Sequence, residues 1–314
     1  MTFLWIGAVM VALASITLVT SYYCYRRLFY SPNRKPLGED EYEIPDGEVY
    51  QAVRDDIIAW IKTKRALPQE DIEIKSFDGL TLRGKYFECE KGEPVELLFH
   101  GYRGNAERDV SGGIERCFAL NRNVILIDHR ASGASDGNII TFGIKERYDC
   151  LKWVEYAVER FGKDVKIILS GVSMGAATVM MAAAEELPEN VVCALADCGY
   201  TSAKEIICKV MRDMKLPDKL VYPFARLGAR LFADFDLEET SPLQAVEKAK
   251  IPIIFLHGTG DDFVPCEMSQ RLYERCTSKK SFVPIENAAH GLAFPTDKDG
   301  YVKAVKEFEK EWKK

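Results

Sequence analysis

Three residue types that together activate a hydroxyl stand at telling places in this chain. They are a serine between two glycines, an aspartate downstream of it, and a histidine near the C-terminus. The serine lies in Gly171-Val172-Ser173-Met174-Gly175, which follows the apolar run at residues 165–169 and opens an alanine-rich helical stretch. A serine on a sharp strand-to-helix turn requires small neighbours, because the backbone is strained and flanking chain passes close. Such a turn holds the hydroxyl above the C-terminal edge of a sheet, where the helix N-terminus favours negative charge. A serine hydroxyl needs a base, and the chain has only four histidines. His290, in Asn-Ala-Ala-His-Gly, stands just past the last apolar run. His100 and His257 each end an apolar run immediately before a glycine and read as loop braces, and His129 reads as a packed neighbour of Asp128. An acid to orient the imidazole is expected at the end of the preceding strand. There His257-Gly258-Thr259-Gly260-Asp261-Asp262-Phe263-Val264-Pro265 supplies two adjacent aspartates.

The elements that must position these groups are legible as periodicity. From residue 95 onward, apolar runs at residues 96–99, 124–127, 165–169, 191–196, 251–256 and 281–285 alternate with helical patterns at residues 106–120, 144–161, 174–187, 266–276 and 300–313. That alternation predicts an α/β fold, a mostly parallel sheet with helices on both faces. Upstream, runs at residues 72–74 and 80–87 flank Asp78-Gly79 and predict a hairpin. Val49, Val53, Ile57, Ile58 and Ile61 predict a helix within residues 46–64. The alternation breaks once, over residues 200–249, where Pro217 and Pro223 divide two helical stretches. This segment far exceeds the roughly dozen residues a crossover needs, and it is expected to form a helical cap over the active site.

With these motifs in register, residues 72–313 resemble the α/β-hydrolase superfamily, on its serine aminopeptidase and esterase/lipase-like side. His-Gly-x-x-Asp-x-x-Val-Pro resembles the family's acid motif and implies Asp261 rather than Asp262. His100-Gly101-Tyr102-Arg103-Gly104-Asn105 resembles its oxyanion loop. The resemblance implies the backbone N–H of Tyr102 as one oxyanion donor, paired with that of Met174 after the nucleophile. Asp128-His129-Arg130-Ala131-Ser132-Gly133-Ala134-Ser135 resembles the family's Asp-x-Arg-Gly-x-Gly-x-Ser segment, departs from it at Ala131-Ser132, and is expected to shape the pocket floor. What the resemblance implies is an α/β-hydrolase fold and a catalytic triad of Ser173, Asp261 and His290, working through an acyl-enzyme with no cofactor and no metal. A carboxylic ester is the expected substrate. A serine peptidase or amidase of the same fold is one alternative, and a non-catalytic membrane-tethered binding module is another.

Composition limits the partners. The 314 residues carry a formal net charge of −6 with no long basic run, which argues against a nucleic-acid partner. Nine cysteines without a Cys-x-x-Cys pair read as free thiols of a reducing compartment. Cys198 is expected to be structural, Arg103 to be solvated or structural, and the acidic residues 234–239 to be a solvated surface. Residues 3–19 contain no charge, and Tyr22, Tyr23, Tyr25, Arg26, Arg27, Arg34 and Lys35 follow. A transmembrane anchor over residues 1–27 is expected, then a linker over residues 28–45, then the hydrolase domain over residues 46–314 with its cap at about 200–249. A cleaved signal peptide would want a positive charge before the apolar run, and a buried soluble helix would want a polar face. The basic flank places the domain on the cytoplasmic side. The expected partners are a small-molecule ester or acyl substrate and, through the anchor, a lipid bilayer.

Overall fold

The computed structural model describes residues 2–32 and 38–310. Arg34 and Lys35 of the basic flank, and residues 311–313 of the expected last helix, lie outside them. The chain begins with α1 (Thr2–Leu28), α2 (Glu48–Gln51) and α3 (Arg54–Ala66), then the hairpin β1 (Glu70–Lys75) and β2 (Thr81–Phe87). Next come β3 (Val95–Phe99), α4 (Ala106–Val110), α5 (Gly112–Ala119), β4 (Asn123–Ile127), α6 (Glu146–Phe161), β5 (Ile167–Val172), α7 (Met174–Ala182) and β6 (Val191–Asp197). The inserted helices α8 (Ala203–Asp213) and α9 (Asp218–Phe232), with α10 (Pro242–Val246), lead into β7 (Ile253–Gly258), α11 (Cys266–Arg275), β8 (Lys280–Ile285), α12 (Ala293–Thr296) and α13 (Lys298–Lys310).

The eight strands form one sheet in the order β1-β2-β4-β3-β5-β6-β7-β8. β1/β2 and β2/β4 pair antiparallel, and every later neighbour pairs parallel. This is a mixed, mostly parallel α/β sheet flanked by helices, with an extra helical region between β6 and β7. The residue pattern explains who sits where: β3 and β4 are buried at all five positions, because helices cover both faces, whereas edge strand β1 is largely exposed. Chain order reverses between β3 and β5, and at such a switch point the crevice at the strand C-termini receives ligands. Side-chain caps start two of the helices that leave this rim, α4 and α8. Asn105 accepts the Arg108 N–H at 2.8 Å, and Ser202 accepts that of Glu205 at 3.1 Å.

Three expectations need correction. The single helix expected within residues 46–64 is broken between Gln51 and Arg54, with Val53 at φ −111° and ψ 16°. The break turns Tyr50 toward the loop that carries His290. Residues 28–31, expected to be linker, belong to the core. Phe29 is fully buried between Phe142 and Phe235, and Ser31 donates to the Asn138 carbonyl at 2.8 Å. Residues 128–135 do not floor the cavity that holds Ser173. They brace the turn beside it instead: Asp128 accepts the Ala106 and Ala134 N–H groups, and Arg130 forks onto Asp149 at 2.6 and 2.7 Å.

α1 is long and apolar enough to cross a bilayer, and none of its residues from Thr2 to Thr20 is buried. Its last turns pack on α9. Tyr22 meets Phe232 edge-on with ring centroids 5.3 Å apart, and α9 bears Gly228 where a Cβ would stand 2.3 Å from the Ser21 carbonyl oxygen.

Candidate active site

Ser173 follows β5 as the N-cap residue of α7, with φ 57° and ψ −111°. A conformation so rare for a residue with a Cβ costs about 1–3 kcal/mol and persists only where its surroundings over-determine it. Here they do. The Ser173 N–H donates to the Asp197 carbonyl at 2.8 Å, locking the turn to β6. A Cβ on Gly171 would lie 2.2 Å from the Gly175 carbonyl carbon, and one on Gly175 would lie 2.2 Å from the Phe99 oxygen. The two glycines are therefore demanded by close approach of backbone.

Three loops at the same rim meet above this serine. His290, in the loop after β8, brings its Nε2 to 3.0 Å from the Ser173 Oγ. Its Nδ1 donates to Asp261 Oδ2 at 2.6 Å, from the loop after β7. Asp261 Oδ1 accepts the Phe263 and Val264 N–H groups at 2.9 and 2.8 Å. Burial raises the Asp261 pKa, but hydrogen bonds from His257 and His290, with the Val264 N–H, outweigh it and hold the carboxyl well below the usual range. Asp262 is exposed.

The other histidines brace the rim. His100 donates from Nδ1 to the Gly101 carbonyl at 2.7 Å and accepts the His129 N–H on Nε2 at 3.0 Å. Burial lowers the pKa of both His100 and His129, which keeps them neutral. His257 joins Ser269 at 2.6 Å and donates to the Val264 carbonyl at 2.8 Å, with its Nε2 3.2 Å from Asp261 Oδ2. The acidic residues 234–239 form ion pairs, Asp236 with Arg226 and Glu239 with Arg147.

Tyr102 occupies a turn in which the Gly104 N–H donates to the Gly101 carbonyl at 3.3 Å, and the Gly101 N–H is held by Asp109 at 3.1 Å. Among the described residues the Tyr102 N–H has no partner. Met174 is the first residue of α7, so its N–H has no intrahelical acceptor, and its side chain is buried.

Ser173 and His290 share a cavity of about 620 Å³. Its apolar wall is built by Val49, Ile57, Trp60, Leu98, Val110 and Phe294. No residue of 200–249 lines it. Near this cavity the insertion reaches the rim, where the Lys209 ammonium stands 5.9 Å from the Phe263 ring centre. The expected cap thus buttresses α1 and the rim, while α2 and α3 supply Val49, Ile57 and Trp60 to the cavity wall. Sequence reading missed Tyr50, whose hydroxyl donates to the His290 carbonyl at 2.9 Å across 240 positions of chain. Burial raises its pKa and keeps it a donor. It also missed how near Cys198 lies: the ligating atoms of Cys198, Asp261 and His290 are all within 4.8 Å of one another. Burial, with Asp197 and Asp261 nearby, pushes that thiol's pKa well up, which makes it a poor nucleophile.

Known proteins share this architecture. The α/β hydrolase fold family matches residues 95–239. YqkD of Bacillus subtilis is 30% identical over 190 residues, a match spanning 60% of this chain and 62% of that relative's length. Bem46 of Schizosaccharomyces pombe is 28% identical over 247 residues, 76% of each chain. Among solved structures, the Pyrococcus furiosus esterase Pf2001 superposes with a TM-score of 0.66 at 22% identity, covering 91% of this chain and 99% of its own.

Proposed function

We propose that this protein is a membrane-anchored serine hydrolase that cleaves a carboxylic ester. The observation that carries the reading is the unbroken line of hydrogen bonds from Ser173 Oγ through His290 to Asp261. In the reaction His290 Nε2 takes the hydroxyl proton as Ser173 attacks the carbonyl carbon. Asp261 fixes the tautomer that leaves Nε2 free and stabilises the imidazolium. Charge develops on the carbonyl oxygen, and the Tyr102 and Met174 N–H groups receive it, at about 3–4 kcal/mol per donor. The imidazolium protonates the departing alcohol, and water drawn up by the same base then releases the acid. An ester suits this arrangement because its leaving group needs less protonation than an amine, and the apolar wall from α2 and α3 suits an acyl chain. The α1 helix is the anchor, and the Arg26 and Arg27 flank argues for a cytoplasmic domain.

Ser173→Ala in the full chain tests the chemistry. Hydrolysis of a short p-nitrophenyl ester and labelling by a fluorophosphonate should both vanish while folding is kept. Unchanged turnover in that variant would remove the serine mechanism.

A further inference from the structure

The C-terminal end of α1 has carbonyl groups that no helical N–H can satisfy, and their partners come from the turn over Ser173. Arg103 Nη2 donates to the Arg27 and Tyr30 carbonyls, each at 3.0 Å. Arg103 Nε donates to the Tyr102 hydroxyl at 2.8 Å, and that hydroxyl donates to the Leu28 carbonyl at 2.7 Å. The Arg27 and Leu28 carbonyls of α1, and that of Tyr30 just past it, are thereby closed by two adjacent side chains of residues 101–104. Arg103 holds this position at φ 54°, in the left-handed region that disfavours side chains. A guanidinium at a helix C-terminus also meets the negative end of the helix dipole. Packing reinforces the joint. The Tyr102 ring stacks on Phe142 at 4.9 Å, and Phe142 in turn packs against the fully buried Phe29 that follows α1.

We infer that Arg103 is a positioning residue, which latches the turn at residues 101–104 to the end of α1 so that the seat of the anchor helix sets the placement of the Tyr102 N–H. The catalytic consequence rests on the oxyanion role proposed above; the latch itself does not. Sequence reading assigned Arg103 a solvated or structural place, because nothing local tells that a residue 75 positions downstream of α1 caps it. The link also means that α1 is more than a tether.

The test uses the full chain in detergent micelles, with Arg103→Ala and the milder Arg103→Lys, which keeps the charge and one donor group. Arg103→Ala should lower kcat about tenfold to a hundredfold with KM held within about threefold, since a misplaced oxyanion donor acts in the transition state. Affinity for a boronic acid, whose adduct needs the same donors, should fall in step with kcat/KM. Arg103→Lys should recover part of both. Amide hydrogen exchange at residues 101–104 should accelerate in Arg103→Ala. Unaltered kcat and boronate affinity in both variants would overturn the inference. If the wild-type chain neither turns over esters nor takes up fluorophosphonate, the proposed function fails separately, and exchange alone reads the latch. Unaltered exchange at residues 101–104 would then overturn it.

Discussion

Replacing Asp261 with asparagine probes the candidate triad at its most constrained atom pair. Oδ1 of Asp261 accepts two backbone N–H groups, from Phe263 and Val264, so the amide oxygen of an asparagine must take that place. Its NH2 then occupies the Oδ2 position, 2.6 Å from His290 Nδ1 and 3.2 Å from His257 Nε2, both of which present N–H groups there. Donor faces donor, and His290 turns to the tautomer whose Nε2 carries the proton and points at Ser173. The hydrogen bond to a charged acceptor is worth about 1.5–3 kcal/mol, and the unsatisfied donors add about 1–3 kcal/mol. The sum, about 2.5–6 kcal/mol, converts at 1.36 kcal/mol per decade to a kcat loss of about 10²–10⁴. A serine protease whose triad aspartate becomes asparagine loses about 10⁴. Steady-state hydrolysis of p-nitrophenyl butyrate by the full chain in detergent, with fluorophosphonate labelling kinetics, measures the effect. Asp262→Asn serves as the comparison and should stay within about threefold of wild type. Retention of more than a tenth of wild-type kcat by Asp261→Asn would refute the reasoning.

The same carboxylate makes a pH statement. Its folded pKa lies below the unfolded value of about 3.9, so ionised Asp261 contributes stability above about pH 4 that is lost as acid protonates it; Asp261→Asn should flatten the acid-unfolding curve below that pH, and an unchanged acid limb would contradict it. Tyr50→Phe deletes a single hydrogen bond to the His290 carbonyl and should lower stability by about 1 kcal/mol, a few degrees in the unfolding midpoint, with kcat reduced by no more than roughly fivefold. Phe29→Ala empties a fully buried ring site and should lower stability by about 3–5 kcal/mol in urea unfolding, whereas a mere linker residue would leave it unchanged.

By itself the sequence marked the strands and the loops that carry the candidate site. Apolar runs marked all eight strands, because burial on one or both faces leaves a pattern in consecutive residues. The glycines around Ser173, and the ends of the runs before Asp261 and His290, lay where three loops reach one rim, since a parallel sheet brings its strand C-termini together. Only the tertiary structure decided what surrounds that rim. Part of the cavity wall comes from α2 and α3, and the long insertion at residues 200–249, which a cap reading would place over the serine, supports α1 instead. Tyr50 reaches His290, and Arg103 caps α1, through hydrogen bonds between segments far apart in the chain. Periodicity reports how deeply a residue is buried and leaves unstated what it is buried against. That choice is made when whole faces dock, and a single polar group gains its partner only then.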